Sequence, residues 1–207
     1  MRDTTISRRD FLKGLVLTAG TTILVSCAPG KSSSFIEEFP LDAEAMQNGG
    51  FKFLVAYDSV YGNTKQIAEA LIDAVEGDYG VKILHASEVT LGELENVSLV
   101  VIGSPTYAGT YTDPIKELIA KLPANSLEGI KAITFDTSFE RAAQTNFMKT
   151  VIDVFGYASL KIAKKLEKKG AVIIASETFI VLDTEGPLKD GEIDRAKTWF
   201  LNLLKAV

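Results

Sequence analysis

A cluster of hydroxyl and amide side chains directly follows the first strongly apolar run of the chain. The run Phe-Leu-Val-Ala at 53–56 predicts a strand that is covered on both faces of a sheet. The first loop, Ser-Val-Tyr-Gly-Asn-Thr at 59–64, supplies hydroxyls, an amide and a glycine. Apolar residues at helical spacing between Ile67 and Val75 place this loop at a helix N-terminus. Unpaired backbone N–H groups and the helix dipole favour a phosphate at such a position.

Two absences narrow the kind of phosphate that the first loop can hold. No Lys-Ser or Lys-Thr pair follows Gly62, so the loop is not a nucleoside-triphosphate loop of the Walker type. The dinucleotide pattern G-x-G-x-x-G is also missing. What remains is a hydroxyl-lined loop without a cation, which suits a phosphate monoester held by neutral donors.

Two further segments with chemical potential follow apolar strands. The second loop, Ser-Pro-Thr-Tyr-Ala-Gly-Thr-Tyr at 104–111, comes after the run at 98–103. Tyr107 or Tyr111 can stack on a flat ring, and the Ala-Gly pair lets backbone approach it closely. The third segment, Asp-Thr-Ser-Phe at 136–139, follows another apolar run. Since the carboxyl ends of parallel strands meet at one edge of a sheet, all three segments are expected to lie together there.

The elements that position these segments alternate along the chain. Strands are expected at 53–56, 81–85, 98–103, 130–135 and 171–175, and 177–182 either extends the last strand or pairs with it. Helices are expected after the first loop, at 113–122 with Asp113 as N-cap, at 151–169, and from Gly191 onward. This alternation predicts an α/β fold with a doubly wound, five-stranded parallel sheet and right-handed crossovers.

The first two loops together resemble the flavodoxin family. S-V-Y-G-N-T is similar to the family's phosphate loop, usually S/T-x-T-G-x-T, and S-P-T-Y-A-G is similar to its second flavin loop. The resemblance implies bound FMN and the strand order 2-1-3-4-5. It implies that the first loop holds the phosphate, that the other segments frame the ring, and that a peptide near Ala108–Gly109 bonds flavin N5 in the semiquinone. Tyr61 departs from the pattern, because flavodoxins have Thr or Ser there. The candidate cofactor-binding residues are Ser59, Val60, Tyr61, Gly62, Asn63, Thr64, Pro105, Thr106, Tyr107, Ala108, Gly109, Thr137, Ser138 and Phe139.

Composition and charge exclude several other classes of function. The formal net charge is −5 and no basic patch stands out, so a nucleic-acid partner is not expected. The single cysteine, Cys27, cannot form an internal disulfide or a cysteine-rich metal site, and the single histidine, His85, makes no metal centre. We expect His85 to lie near the surface at the end of a strand. A run of lysines is expected to be a solvated helix end: Lys161, Lys164, Lys165, Lys168 and Lys169.

The pattern of the N-terminal residues predicts an export signal. Residues 7–13, Ser-Arg-Arg-Asp-Phe-Leu-Lys, match the twin-arginine motif, and the apolar stretch at 14–25 is shorter than a membrane span. Leu-Val-Ser-Cys at 24–27 resembles a lipoprotein box, in which Cys27 would become the lipid-modified first residue. The alternative is a short uncleaved membrane anchor with an incidental cysteine. The predicted organisation is a signal at 1–27, a linker at 28–50 and a flavodoxin-like domain at 51–207.

Three functions remain open from the sequence. The leading one is an electron carrier on the outer face of the cytoplasmic membrane, bound by its lipid and exchanging electrons with redox partner proteins. The second is an FMN-dependent NAD(P)H or quinone reductase of the WrbA type, so enzymatic activity stays open. The third is a flavodoxin-fold lipoprotein that serves as a binding or scaffold module without flavin.

Overall fold

The computed structural model describes residues 52–75, 80–140, 145–146, 150 and 156–205. The predicted signal and linker lie outside these residues. Five strands form one parallel sheet in the order β2-β1-β3-β4-β5. This confirms the predicted fold class and strand order. The strands are β1 Lys52–Tyr57, β2 Gly80–His85, β3 Leu99–Pro105, β4 Lys131–Phe139 and β5 Val172–Val181.

Among the described residues, four α-helices cover the two faces of the sheet. Helices α1 (Asn63–Asp73) and α4 (Glu192–Lys205) pack on one face, and α2 (Asp113–Lys121) and α3 (Ala158–Glu167) pack on the other. Short 3₁₀ turns lie between β2 and β3. No helix in the described part of the chain is long and apolar enough to cross a membrane.

The continuous apolar run of β1 follows from this two-sided cover. Phe53 and Val55 belong to the core under α1 and α4, whereas Leu54 and Ala56 belong to the core under α2 and α3. All four side chains are buried. Burying one large apolar side chain contributes about 1.5–3 kcal/mol, so β1 helps to stabilise the packing on both faces of the sheet.

A glycine in β3 sets the spacing of the sheet just before the second loop. A Cβ on Gly103 would lie 2.1 Å from Cζ of Phe135 on the neighbouring strand β4. The Phe135 ring therefore occupies the space that any side chain at residue 103 would need. This close approach fixes the path of the chain into Ser104 and the loop that follows.

Several predicted boundaries differ from the structure. Strand β4 continues through the third segment to Phe139 because its neighbour β5 is one unbroken strand, with Phe139 opposite Val181. Residues 177–181 thus extend the fifth strand. Helix α3 begins at Ala158, and Gly156 before it has the positive φ of 69°. The first part of the predicted helix, 151–155, lies outside the described residues. The N-cap of α2 is Thr112, not Asp113.

Candidate functional site

The three predicted segments meet at one cavity of about 200 Å³. It lies at the carboxyl edge of the sheet, beside the N-terminus of α1. All the candidate residues line it except Gly62, which lies between two lining residues, and Gly109, which follows the lining residue Ala108. Two residues that the sequence did not single out, Val181 and Thr184, complete the wall. The lining residues are Ser59, Val60, Tyr61, Asn63, Thr64, Pro105, Thr106, Tyr107, Ala108, Thr137, Ser138, Phe139, Val181 and Thr184.

The first loop closes into the first turn of α1 through short-range hydrogen bonds. Gly62 is the N-cap with φ of 87°, a conformation that glycine adopts without a Cβ penalty. The Lys65 N–H donates to Ser59 Oγ at 3.1 Å, and the Gln66 N–H donates to the Gly62 carbonyl at 3.0 Å. The hydroxyls of Thr64 and Thr137 form a hydrogen bond of 2.8 Å between their Oγ1 atoms. That bond connects the first loop to β4.

A turn after β5 forms a fourth wall that sequence reasoning missed. Asn63 Nδ2 donates to the Glu185 carbonyl at 3.0 Å. Next to it, a Cβ on Gly186 would lie 2.6 Å from Asn63 Oδ1, so the turn packs directly against the first loop. This contact brings Thr184 to the cavity. The sequence does contain a signal for this wall, because the turn follows the fifth strand and so lies at the same edge of the sheet.

The second loop contains a tight reverse turn. The N–H of Tyr107 donates to the Thr110 carbonyl at 2.8 Å, and the N–H of Thr110 donates back at 3.0 Å. Between them Ala108 and Gly109 both have positive φ, 47° and 72°. Two successive left-handed residues define a turn of the I′ kind, and the first of them is strained because it is alanine. Of the two candidate stacking rings, Tyr107 is 62% exposed at the cavity, whereas Tyr111 is 8% exposed and packs in the core.

A buried carboxylate lies behind the second loop. Asp136 is fully buried and accepts hydrogen bonds from Thr106 Oγ1 at 2.6 Å, Thr178 Oγ1 at 2.9 Å and the Ser159 N–H at 3.3 Å. Burial raises the pKa of Asp136 to about 6, and these donors partly oppose the rise. Thr106 Oγ1 also accepts the Ala158 N–H at 2.9 Å. Asp136 therefore joins the second loop to the start of α3.

The lysines in and just after α3 correct one expectation from the sequence. Lys161 Nζ donates to the carbonyl of Gly109 in the second loop, and Lys169 Nζ donates to the carbonyl of Leu122. Both side chains are partly buried and bond defined backbone groups, so the run is not uniformly solvated. Lys164 and Lys165 are exposed in the last part of the helix, as expected.

His85 lies at the end of β2 and is partly exposed, near the surface as expected. Its Nε2 lies 2.8 Å from Oδ1 of Asp58, the residue just before the first loop. Its Nδ1 lies 2.7 Å from Ser87 Oγ, and the ring meets Tyr57 edge to face. The pair Asp58–His85 thus supports the base of the first loop and does not line the cavity.

A wider groove adjoins the cavity and shares its rim. It has a volume of about 490 Å³ and is lined in part by Asp58, Tyr111 and Lys116. Val60, Tyr61, Tyr107 and Ala108 line both the groove and the cavity.

The donor set fits a phosphate monoester joined to a flat ring. At the end formed by the first loop, the lining side chains offer hydroxyls and an amide beside a helix N-terminus, and none of the described lining residues is cationic. Lys65, in the first turn of α1, pairs with Glu69 at 3.6 Å. At the other end Tyr107 and Phe139 supply aromatic surface.

Comparison with known proteins identifies the family. The family model of the flavodoxin domain matches residues 54–175. The chain belongs to the flavodoxin-domain family. No match was found among curated protein sequences.

Solved structures share the flavodoxin-type fold at low sequence identity. Flavodoxin 1 from Bacillus cereus is 16% identical with a TM-score of 0.59, covering 75% of this chain and 99% of its own. A WrbA-like protein from Agrobacterium tumefaciens is 16% identical with a TM-score of 0.54, covering 75% and 96%. An NADH:FMN oxidoreductase is 14% identical with a TM-score of 0.55, covering 76% and 90%. At these identities the similarity establishes the fold.

Proposed function

We propose that this chain is an FMN-binding electron carrier, exported and tethered to the outer face of the cytoplasmic membrane through a lipid on Cys27. The main support for FMN binding is that three separate segments of the chain line one cavity. The residues of the first loop suit a phosphate and those of the second suit a flat ring, and the flavodoxin resemblance assigns the third segment to the ring. Family membership supports the same ligand.

The first loop would bind the phosphate through neutral donors. Ser59 and Thr64 contribute hydroxyls, Asn63 contributes an amide, and the N-terminus of α1 contributes backbone N–H groups. The helix dipole adds a partial positive charge at the same place. Tyr61 is 47% exposed and can contribute its ring edge or its hydroxyl where flavodoxins have a smaller hydroxyl residue.

The second loop and the end of β4 would orient the ring and exclude water from it. Tyr107 and Phe139 provide aromatic surface, and Thr137 and Ser138 provide hydroxyls. Bound FMN would supply the one- or two-electron chemistry, and the protein would set its geometry and electrostatics. The exposed apolar side chains at the rim, Val60, Tyr61 and Tyr107, would meet the redox partner protein.

The export part of the proposal rests on the N-terminal sequence. The twin-arginine route carries proteins that are already folded, commonly with a cofactor in place, and a domain that holds FMN would need it. Changing Cys27 to Ala should release the protein from the membrane fraction if the cysteine is lipid-modified. Membrane retention of that variant would favour the uncleaved anchor.

Flavin binding is tested by titrating the purified full-length chain with FMN and recording the visible spectrum. We expect saturable uptake at micromolar FMN and two separate one-electron steps on stepwise reduction. A single two-electron step would favour the reductase. No uptake would contradict both flavin functions and leave the scaffold.

The groove beside the cavity favours a reductase as the second candidate. It provides room of about 490 Å³ for a second substrate next to the ring end, which the sequence alone did not indicate. Its tyrosine-rich rim suits a flat quinone or nicotinamide. Turnover of a quinone with a nicotinamide donor by the FMN-loaded chain would establish this function in place of the carrier.

A further inference from the structure

The turn at Tyr107–Thr110 needs support from outside the second loop. Ala108 occupies the left-handed region, which disfavours residues with a Cβ. The two cross-turn hydrogen bonds stabilise the turn itself but do not set its orientation toward the cavity. Tyr107 is largely exposed, so packing of its ring contributes little to that orientation.

Helix α3 supplies this support at both ends of the segment. At the N-terminal end, Thr106 is bonded to Asp136 and to the Ala158 N–H. At the C-terminal end, the carbonyl of Gly109 accepts a hydrogen bond from Lys161 Nζ. The peptide between Ala108 and Gly109 thus lies between two fixed points.

The position of Lys161 in α3 is unusual for a lysine. The helix begins at Ala158, so Lys161 lies in its first turn, where the macrodipole disfavours a positive charge. Lys164 and Lys165 lie near the other end, where the dipole favours them. A role in helix stability therefore explains those two residues and does not explain Lys161.

We propose that Lys161 is a positioning residue that fixes the Gly109 carbonyl, and so presets the second loop for FMN and favours the reduced flavin. The inference rests on the proposed FMN site. Presetting the loop raises affinity because the unbound protein already holds the competent conformation. The ammonium group also places a positive charge at the second loop, which stabilises the negative charge gained on reduction.

Three variants separate this role from a general effect of charge. Lys161→Met removes the charge and the donor while keeping the aliphatic stem. Lys161→Arg retains both. Lys164→Met removes a charge of the same helix at an exposed position and serves as the matched control.

The first readout needs no flavin. Amide hydrogen exchange at Thr110 reports the cross-turn hydrogen bond in the flavin-free, full-length chain. We expect about tenfold faster exchange in Lys161→Met and exchange close to wild type in the other two variants. Equal exchange rates in all four proteins would overturn the positioning role, whether or not FMN binds.

The second readout uses FMN. We expect the Kd of FMN to rise about tenfold in Lys161→Met and to stay within about twofold of wild type in Lys161→Arg and Lys164→Met. The midpoint potential of the bound flavin should become more negative only in Lys161→Met. Equal shifts in Lys161→Met and Lys164→Met would overturn the inference in favour of a general effect of charge. If the wild type does not take up FMN, the proposed function fails, and the exchange measurement still decides the role of Lys161.

Discussion

The two ends of the cavity are built by different chemistry. At the first loop, the cavity wall consists of neutral donors at a helix N-terminus, linked by the Thr64–Thr137 hydroxyl pair. At the second loop, a strained turn is held by ionisable groups, Asp136 behind it and Lys161 beside it. Both ends depend on contacts between distant parts of the chain, but neutral groups make these contacts at the first loop and ionisable groups make them at the second.

This difference indicates where the protein can adjust its chemistry. A phosphate brings its own charge, and a helix dipole with neutral donors is sufficient to receive it. A ring that changes charge on reduction responds to nearby ionisable groups. Substitutions at the second loop should accordingly change redox behaviour as well as affinity, whereas substitutions at the first loop should change affinity.

The largest expected effect comes from the glycine below the second loop. Gly103→Ala should lower the free energy of unfolding by about 2–3 kcal/mol, because the new Cβ overlaps the Phe135 ring. Urea unfolding measures this change. Gly92→Ala is the control, since its Cβ would meet nothing closer than Thr90 Oγ1 at 3.8 Å. A loss below about 0.5 kcal/mol for Gly103→Ala would show that β3 and β4 do not constrain the loop as described.

The next effect tests the neutral donors of the first loop. Thr64→Val keeps the shape of a buried side chain and removes its hydroxyl, which also leaves the Thr137 hydroxyl without this partner. We expect the Kd of FMN to rise about tenfold or more, as for loss of a hydrogen bond to a charged group. Fluorescence titration measures it. Thr198→Val, at an exposed position of α4, should leave the Kd unchanged, and an unchanged Kd in Thr64→Val as well would remove Thr64 from the phosphate site.

A smaller effect is expected on the pH dependence of the free energy of unfolding, through the carboxylate behind the second loop. The pKa of Asp136 is raised from 3.8 to about 6, so the folded state binds the proton more tightly than the unfolded state. Protonation of Asp136 should therefore raise the free energy of unfolding as the pH falls through 6. The rise should be about 1.4 kcal/mol between pH 8 and pH 5. Asp136→Asn should lack this gain, whereas Asp190→Asn, at an exposed position, should retain it.

Urea unfolding of the three flavin-free proteins at pH 5 and pH 8 measures the difference. Identical pH dependence in wild type and Asp136→Asn would show that the carboxyl is not the group that titrates. The ionisable character of the second loop would then rest on Lys161 alone among the residues discussed.

The smallest effect is expected at a cation next to the first loop. Lys65 lies in the first turn of α1, but its side chain is exposed and paired with Glu69. Lys65→Met should change the Kd of FMN by less than about threefold, since exposed charges contribute little. A change above tenfold would show that the first loop also depends on a charge, and the contrast between the two ends would be lost.

The sequence predicted the fold and most of the cavity wall because both depend on local patterns. The apolar run at 53–56 belongs to a strand buried on both faces, and the polar segments follow such strands at the edge where they must meet. These residues needed no knowledge of distant contacts. Their role in binding FMN stays a prediction.

What the sequence missed depends on contacts between distant residues. The sequence pattern predicts a loop at Asp136, but pairing with β5 keeps this residue in a strand beneath Thr106. Thr184 reaches the cavity only because Asn63 bonds the turn that contains it. In the sequence, Lys161 looks like any other member of a lysine run. Its bond to the Gly109 carbonyl depends on where α3 begins.

The central claim is that the first loop binds a phosphate while the second loop positions the ring, and comparing FMN with riboflavin tests it most directly. The two ligands share the ring and differ by the phosphate. Titration of the full-length chain should give a Kd for riboflavin about 100-fold higher than that for FMN, as for the loss of several hydrogen bonds to a charged group. Thr64→Val should narrow that ratio, and Lys161→Met should leave it unchanged while weakening both ligands. Equal affinity for the two ligands, or binding of neither, would contradict the account.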